Sequence, residues 1–355
     1  MGLLGVLIVF GIAIFFHELG HFWVAKRVGI KVERFSFGMG PKLISWKRGE
    51  TEYWICPILF GGYVKLAGQD SVNAEAPDEF SAKPPGIRAL VVVAGGIHNI
   101  VVAWIFLLPA LMLGVPAYDG TRVGGVVEQL PAKSAGIVVG DEILSVNGKR
   151  TREWFDVLQR ITVESNRNPD TPLQIEVSRE GTLLRFSVLP HLQEDGVKVF
   201  DGYKRYLIGI EPMEKIARYG FFRSFLESGK ETGKMIKGVF TAFKYLITGK
   251  ASIKQLAGPI GIAKFSMEVM KLGISRYLYF IAFLNVNLGV LNLMPFFVLD
   301  GGHLIGLFIE KLRRKKPSRR FLEIVNTAGA FLIIALALYV TYNDIFKIIE
   351  EKLRR

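Results

Sequence analysis

The chain has 355 residues, 50% of them hydrophobic, and a mean hydropathy of +0.32. This composition is too apolar for an ordinary soluble enzyme and indicates an integral membrane protein with some mass outside the bilayer. The single cysteine, Cys56, excludes an intramolecular disulfide and a cysteine metal cluster, and the net charge of +13, without a nucleic-acid motif, is typical of basic flanks beside anionic lipid.

Four stretches are apolar and long enough to cross a bilayer core, which takes about 20 residues. The first covers residues 1–25 and contains HELGH; the others, free of Asp, Glu, Lys and Arg, cover residues 89–118, 277–299 and 324–343. Four spans put both termini on one side of the membrane. Basic residues follow the first span and fill the link between the third and fourth, so both segments are expected to be cytoplasmic.

The first span contains a potential metal site. On a helix, His17 and His21 project from one face and can ligate one Zn²⁺, while Glu18 is free to act as a base toward a water whose pKa the metal lowers to about 7. In a soluble helix, histidines at this spacing can equally be structural. In a membrane, each polar group near the centre costs about 2.5 to 3.5 kcal/mol, and a metal in a hydrated cavity compensates that cost. The setting therefore favours the metal site.

The segments between the spans show other patterns. Residues 27–88 contain short, glycine-punctuated strands that predict β-hairpins near the membrane surface, with Gly61 and Gly62 at a bend or bulge. Residues 214–256 mix aromatic residues with lysines at helical spacing, which is typical of a helix at the membrane interface or of a soluble helix packed on a neighbouring domain.

Residues 119–195 resemble a PDZ domain. The segment reads in order as a strand, a turn, a second strand, an Asn-Gly hairpin and an amphipathic helix, with SAGIVVGDEILSVNG at its centre. Such domains bind an extended peptide as an added strand. The loop 122–127 and the helix 154–161 would flank the groove here. A steric shield without a ligand is an equal alternative.

A catalytic zinc takes three protein ligands and keeps a fourth position open. The candidate third ligand is Asp300, at the edge of the apolar stretch NVNLGVLNLMPFFVLDGGH. Pro295 and the pair Gly301-Gly302 predict a broken helix there, with backbone groups that only a cavity or the protein interior can satisfy. Asn292 could hydrogen-bond a substrate carbonyl or its oxyanion.

The motifs HELGH, GGYVKLAG, LAGPIGIA and NLMPFFVLDGG, with the PDZ-like insert between them, resemble the site-2 protease family of intramembrane zinc metalloproteases. The resemblance covers nearly the whole chain and is to the bacterial branch that cleaves anti-sigma factors and signal-peptide remnants. It implies Zn²⁺ held by His17, His21 and Asp300, with Glu18 as catalytic base and Asn292 at the active site. It also implies that GGYVKLAG belongs to a β-hairpin that presents substrate as an extended strand.

The resemblance also implies the fold and its division. We expect a polytopic α-helical membrane protein with about four transmembrane helices, membrane-associated β-hairpins and an inserted extracytoplasmic PDZ (α+β) domain. The expected parts are a catalytic membrane region at residues 1–118, the PDZ domain at 119–195, a linker with interfacial helices at 196–275 and a C-terminal membrane region at 276–355.

The implied function is hydrolysis of peptide bonds inside transmembrane segments of single-pass proteins, after a first extracytoplasmic cut. Expected partners are those substrates, the lipid bilayer and an extracytoplasmic peptide at the PDZ domain; no nucleic-acid partner is expected. The expected location is the bacterial inner (cytoplasmic) membrane, with the active site toward the cytoplasm. A non-proteolytic PDZ adaptor with a structural zinc is the main alternative, and a transporter is a weaker one.

Two departures from the family pattern affect the local backbone and substrate contacts. The family's second motif usually reads Gly-Pro-x-x-Asn, whereas this chain has Gly95-Gly96-Ile97-His98-Asn99, and Phe297 stands where a second proline is common. We interpret His98 as a polar residue satisfied by a neighbouring helix and His303 as an interfacial side chain, rather than as ligands.

Overall fold

The computed structural model describes residues 2–69, 76–193, 198–199, 203–251, 253, 256–296, 299–315 and 319–353. Its contacts divide the chain into two compact units. The first comprises Met1–Leu113, Tyr219–Val239 and Leu256–Arg355, and the second comprises Gly114–Arg218 and Phe240–Gln255.

The described chain begins and ends with a helix, and its strands lie between the two. The helices are α1 (Gly2–Arg27), α2 (Pro85–Leu113), α3 (Pro131–Ala135), α4 (Trp154–Arg167), α5 (Phe221–Ile247), α6 (Pro259–Lys271), α7 (Ile274–Leu293), α8 (Asp300–Arg313) and α9 (Arg319–Leu353). The strands are β1 (Val32–Met39), β2 (Ile44–Arg48), β3 (Thr51–Ile55), β4 (Ile58–Leu66), β5 (Val115–Val126), β6 (Glu142–Val146), β7 (Lys149–Arg150), β8 (Leu173–Arg179), β9 (Thr182–Val188), β10 (His191–Leu192), β11 (Lys198–Val199), β12 (Tyr203–Lys204), β13 (Tyr206–Leu207) and β14 (Ile210–Ala217).

Among the described residues, three helices are long and apolar enough to cross a membrane: α2, α7 and the segment Thr327–Ile349 of α9. The first predicted span lies in α1, a helix of 26 residues, and the count of four spans stays a prediction.

Two predicted span ends were wrong. The second helix ends at Leu113, because Val115 already begins strand β5. The third ends at Leu293, because Met294 precedes Pro295 and takes an extended backbone with ψ of 152°.

In the first unit, α2 packs against α1, α7 and α8. Its crossing with α7 is close: a side-chain carbon on Gly96 would lie 2.9 Å from the carbonyl oxygen of Gly289, and one on Gly289 would lie 2.6 Å from that of Gly96. Small residues let helices approach closely where lipid provides no hydrophobic force between them. This contact places the end of α7 against the part of α2 that faces α1.

The last helix is joined to α6 by a buried carboxylate. Asp344 of α9 accepts hydrogen bonds from the N–H groups of Gly258 at 3.2 Å and Gly261 at 2.7 Å, at the start of α6. Helix starts leave such N–H groups without intrahelical partners, and a negative charge is stabilising there. A side-chain carbon at either glycine would lie within 3.0 Å of the Asp344 carboxylate, which explains the glycines of LAGPIGIA.

A four-stranded sheet with the order β2-β3-β1-β4 also belongs to the first unit. β2 and β3 form an antiparallel hairpin, as predicted for this segment, and β1 pairs parallel with β3 and antiparallel with β4, a parallel pairing that the sequence did not indicate. The register of β1 against β4 is irregular between Gly62 and Ile58, where a bend or bulge was predicted. β4 is an edge strand: on its second side it pairs with no strand of the described chain.

The two ends of this sheet differ in polarity. At one end Met39, Leu43 and Ile58 are about half exposed or more, at 48%, 65% and 53%. At the other end lie the ion pairs Lys26–Glu50 at 3.1 Å and Lys65–Glu33 at 2.8 Å. Exposed apolar residues grouped at one end favour contact with hydrocarbon there, while the charged end favours water or lipid headgroups.

The second unit is built on a sheet with the order β14-β5-β6-β8-β9, to which β7 adds beside β6. Its core residues include Ile143, Val146, Trp154, Ile161 and Ile175. The Asn-Gly hairpin and the helix of the PDZ-like pattern are present as the β6–β7 turn and α4. The PDZ assignment itself stays a prediction.

The predicted groove beside residues 122–127 needs correction. These residues were expected to form a loop, but Arg122–Val126 is the end of strand β5. Val123 pairs with Pro212 of β14 on one side, and Arg122 pairs with Glu142 of β6 on the other. β5 is thus paired on both sides at Arg122 and Val123, and β14 and β9 are the outer strands of the sheet.

A buried ion pair is part of this unit. The side chain of Asp141 has 0% exposure and accepts hydrogen bonds from Arg179 Nε at 2.8 Å, Arg179 Nη2 at 2.9 Å and the Val138 N–H at 3.0 Å. Burial alone would raise the pKa of Asp141, but the hydrogen bonds and the charge of Arg179 hold that pKa below its ordinary value.

Candidate metal centre

Helix α1 carries the HELGH residues. His17 and His21 are four positions apart, so both rings lie on one face, with ring centroids 4.8 Å apart and Nε2 atoms 3.3 Å apart. Both imidazoles face α2, where Gly95 leaves the space they need. A side-chain carbon at Gly95 would overlap His21 Nε2 and lie 2.8 Å from His17 Cε1. The sequence therefore keeps residue 95 without a side chain.

Asp300 completes the group from the first residue of α8. Its Oδ2 atom lies 3.2 Å from His17 Nε2 and 3.3 Å from His21 Nε2. The following residue, Gly301, packs directly on the main chain of Met294, and a side-chain carbon there would overlap the Met294 carbonyl oxygen. This close approach of the start of α8 to the end of α7 brings the carboxylate to α1.

The three atoms fit a zinc ion. Tetrahedral ligands at the usual zinc distances of about 2.0 to 2.1 Å lie about 3.3 Å from one another. The three separations here are 3.2, 3.3 and 3.3 Å. In addition, Asp300 Oδ2 is buried and makes no hydrogen bond, an arrangement that a bound cation would relieve. Within the described residues, this is the one group of three potential ligands.

His21 has a fixed ring orientation. Its Nδ1–H donates to the main-chain carbonyl oxygen of Val91 at 2.8 Å, which leaves the lone pair of Nε2 directed toward the other two ligand atoms. Metal-binding histidines commonly use their second nitrogen in this way.

Two amides contact His17. Asn292 Nδ2 lies 3.2 Å from His17 Nε2 and 3.4 Å from Nδ1, while Asn99 Nδ2 lies 3.5 Å from Nδ1. Asn99 is fully buried, and its Oδ1 atom has no hydrogen-bond partner. The oxygen and nitrogen of an amide exchange places on a half-turn of the group. In that orientation Asn99 Oδ1 would accept the His17 Nδ1–H.

Glu18 lies beside the edge strand. The main-chain N–H of Val64 in β4 hydrogen-bonds to the Glu18 carboxylate. A side-chain carbon at Gly62 would lie 3.4 Å from Glu18 Cγ, so β4 approaches the glutamate at its glycine. The GGYVKLAG segment is thus next to the candidate base.

The structure does not bring the other histidines to the ligand group. The half-buried ring of His98 packs against Trp23 and Phe16, with centroids at 5.1 and 6.0 Å. His303 is exposed. Phe297 lies outside the described residues. The contact between Asn99 and His17 was not predicted from the sequence. A polar amide within an apolar span is a signal that could have indicated it.

Two histidines on one helix with a glutamate between them, and an aspartate from a second helix, form a donor set typical of zinc metallopeptidases, here in a setting of apolar helices. The Peptidase family M50 profile matches residues 5–336 of this chain, and the chain belongs to that family, the site-2 proteases.

Several relatives match this chain over nearly the whole of both sequences. A Clostridium perfringens protein named provisionally as a zinc metalloprotease is 35% identical over 97% of this chain and 98% of its own. The regulator of sigma-W protease RasP of Bacillus subtilis is 28% identical over 96% and 97%. The zinc metalloprotease RasP of Geobacillus kaustophilus is 29% identical over 97% and 98%.

The chain is therefore a bacterial membrane protein and a zinc metalloprotease of the site-2 type. The alternative of a non-proteolytic adaptor with a structural zinc is wrong, and so is that of a transporter.

Proposed function

We propose that this protease cleaves peptide bonds within the transmembrane segments of single-pass membrane proteins whose outer domain has already been removed. The observation that carries the proposal is the position of the candidate ligands: His17 and His21 are on the apolar helix α1, and Asp300 follows the apolar helix α7. A peptide bond reaches such a site from within the bilayer, as part of a membrane segment.

His17, His21 and Asp300 would hold the metal. When bound there, Zn²⁺ supplies Lewis-acid polarisation of a carbonyl and lowers the pKa of water. The Val91 carbonyl oxygen orients the His21 ring by accepting its Nδ1–H. We assign Asn99 the corresponding role for the His17 ring, through the Nδ1 atom of His17.

Glu18 is the proposed base. It follows His17 in α1 and contacts β4 at Val64 and Gly62, so it borders the space between the ligand atoms and that strand. Its carboxylate would take a proton from the attacking water and later give it to the departing amine. The Val64 N–H that bonds to the carboxylate restricts its rotation.

Substrate would bind as an extended strand on the edge of β4. A helical segment has its carbonyls engaged in intrahelical hydrogen bonds, so it must unwind before cleavage. An unpaired strand edge offers N–H and C=O groups to an extended chain, which satisfies the unwound backbone in place of water. Asn292, within 3.2 Å of His17 Nε2, is near enough to the ligand group to bond the scissile carbonyl.

The proposed orientation follows from charge. Lys26 and Arg27 end α1 a little over one turn after His21, and the segment from Lys311 to Arg320 contains seven Lys and Arg residues, these two included. This supports an active site toward the cytoplasmic face of the inner membrane, with the PDZ-like unit outside the cytoplasm. There the unit would exclude substrates with an intact outer domain, with or without binding a peptide end.

The test uses purified full-length protein in lipid nanodiscs, with a single-pass substrate labelled on both sides of its membrane segment. Glu18→Gln keeps the shape of the side chain but removes the base. We expect zinc content equal to that of the unsubstituted protein and at least a hundredfold slower cleavage, about the contribution of a general base.

The matched control is Glu33→Gln, a partly exposed glutamate of β1 that pairs with Lys65, and this variant should cleave normally. Full activity in Glu18→Gln would contradict the assigned base. Cleavage outside the membrane segment, mapped by mass spectrometry of the fragments, would contradict the proposed substrate class.

A further inference from the structure

A second apolar space lies on another side of α1, away from the metal centre. The cavity has a volume of about 540 Å³, lies between α1 and the four-stranded sheet, and is partly open. Its lining is almost entirely apolar and includes none of His17, Glu18, His21 and Asp300. Its size is that of a binding pocket rather than of a packing defect.

One wall of the cavity is a stripe of α1. Gly11, Phe15, Leu19 and Phe22 recur every three or four residues and so line one face of the helix. From Gly11 to Phe22 the stripe is about 16 Å long, at 1.5 Å per residue. Lys26 is the next residue on the same face, and its Nζ lies 5.8 Å from the centroid of the Phe22 ring.

The opposite wall comes from the sheet. Phe35 of β1 contacts Phe15 and Phe22, with ring centroids at 5.8 and 5.3 Å. Trp46 of β2 stacks on Tyr53 of β3 at 5.5 Å and 9° and remains 50% exposed. The outer wall is therefore an aromatic pair with one open side.

The polar end of the cavity carries positive charge. Arg48 follows Trp46 by two positions in β2, so it lies on the same face of the sheet. Lys26 and Glu50 form an ion pair at this end, at 3.1 Å, and offset each other. Arg48 is exposed and pairs with no acidic group of the described chain, which leaves it as the net cation.

We propose that this cavity binds one acyl chain of an anionic phospholipid, whose headgroup phosphate contacts Arg48 and Lys26. The aromatic rings on the two walls lack dispersion contacts across an open space of this volume. A hydrocarbon chain bound between the walls would supply those contacts. A polypeptide fits less well, because its N–H and C=O groups would find almost no polar partner in the lining. The stripe is apolar from Gly11 to Phe22 and ends beside the net cation Arg48, which matches the polarity of an anionic lipid.

The experiment uses full-length protein in nanodiscs that contain phosphatidylglycerol with a photoreactive group at the end of one acyl chain. We expect labelling concentrated on the peptides with Gly11, Phe15 and Phe37. Gly11→Leu should reduce this labelling at least about fivefold, because a carbon at Gly11 has ordinary contact with Phe37 at 3.4 Å and a longer side chain then occupies the cavity. The control, Gly233→Leu, adds the same side chain where nothing lies within 4 Å.

A charge variant keeps the test informative if Gly11→Leu does not fold. Arg48→Gln should weaken the preference for phosphatidylglycerol over phosphatidylcholine about fivefold, the effect of one cation near a headgroup. Lys47→Gln, one position earlier and on the other face of β2, should not change it. The proposal is overturned if labelling spreads evenly over the lipid-facing helices, if the two charge variants behave alike, or if a substrate segment displaces the lipid from these peptides.

Discussion

Each of the two units contains an aspartate with a buried carboxylate oxygen, and the surroundings of the two carboxylates are opposite. In the second unit the carboxylate of Asp141 accepts three hydrogen bonds from the protein, two of them from Arg179. In the first unit Asp300 Oδ2 accepts none and has only two imidazole nitrogens at 3.2 and 3.3 Å. Because buried charges are ordinarily paired within the protein, the comparison contrasts a carboxylate that stabilises the fold with one that we propose binds a metal ion.

The largest expected effect is loss of metal from the first unit. Asp300→Asn replaces an anionic oxygen ligand by a neutral amide of the same shape, so zinc content measured by mass spectrometry should fall to background. His303→Ala, three residues later and exposed, should keep full zinc. If Asp300→Asn retained its zinc, the proposal that Asp300 binds the metal, in contrast to Asp141, would be wrong.

The second unit should show the reverse behaviour. Asp141→Asn removes a buried charge from Arg179, and we expect a loss of about 2 kcal/mol in the unfolding free energy of this unit, with zinc content unchanged. Hydrogen exchange of peptides from residues 114–218 in increasing urea measures it. Asp119→Asn, which breaks the more exposed pair with Lys215, serves as the control and should change little.

The same pair predicts a pH dependence. Because the folded pKa of Asp141 is lowered, its contribution to stability is complete above the ordinary aspartate pKa of about 3.9 and is lost as the pH falls through the lower, folded value. The urea midpoint of the second unit should therefore fall as the pH decreases from about 5 to about 2. Asp141→Asn should flatten that decrease; an unchanged slope would assign the acid sensitivity to other carboxylates.

The smallest expected effect concerns the support of His17. Asn99→Ala removes the proposed acceptor for His17 Nδ1–H, so zinc affinity from chelator competition should weaken about tenfold. Asn99→Asp should restore it, since a carboxylate accepts the same proton. Asn285→Ala is the control, because that buried amide bonds to the Ile281 carbonyl oxygen instead. Equal losses for both alanine variants would indicate general destabilisation.

The sequence predicted what depends on local spacing. The position of His17, Glu18 and His21 on one helix follows from period 3.6, and Asp300 stood out because a carboxylate beside a helix break has few structural uses. The structure brings Asp300 to the histidines, as expected, while the ligand roles stay a proposal.

What could not be predicted depends on pairing across the chain. The parallel pairing of β1 with β3 joins strands that short-range patterns assign to hairpins. The closure of β5 by β14 joins Val123 to Pro212, and no local signal reports that register. The contact between Asn99 and His17 likewise depends on how α2 packs on α1.

Asp344 of α9, which caps the start of α6, has a consequence for biogenesis. One residue of shift along α9 turns a side chain by about 100°, so the carboxylate meets the two glycine N–H groups in only one register and one direction of insertion. The cap therefore favours one packing arrangement of α9 against α6 over the others. A last helix that inserts inverted or out of register would leave both a buried charge and an uncapped helix end, and both are costly inside a bilayer.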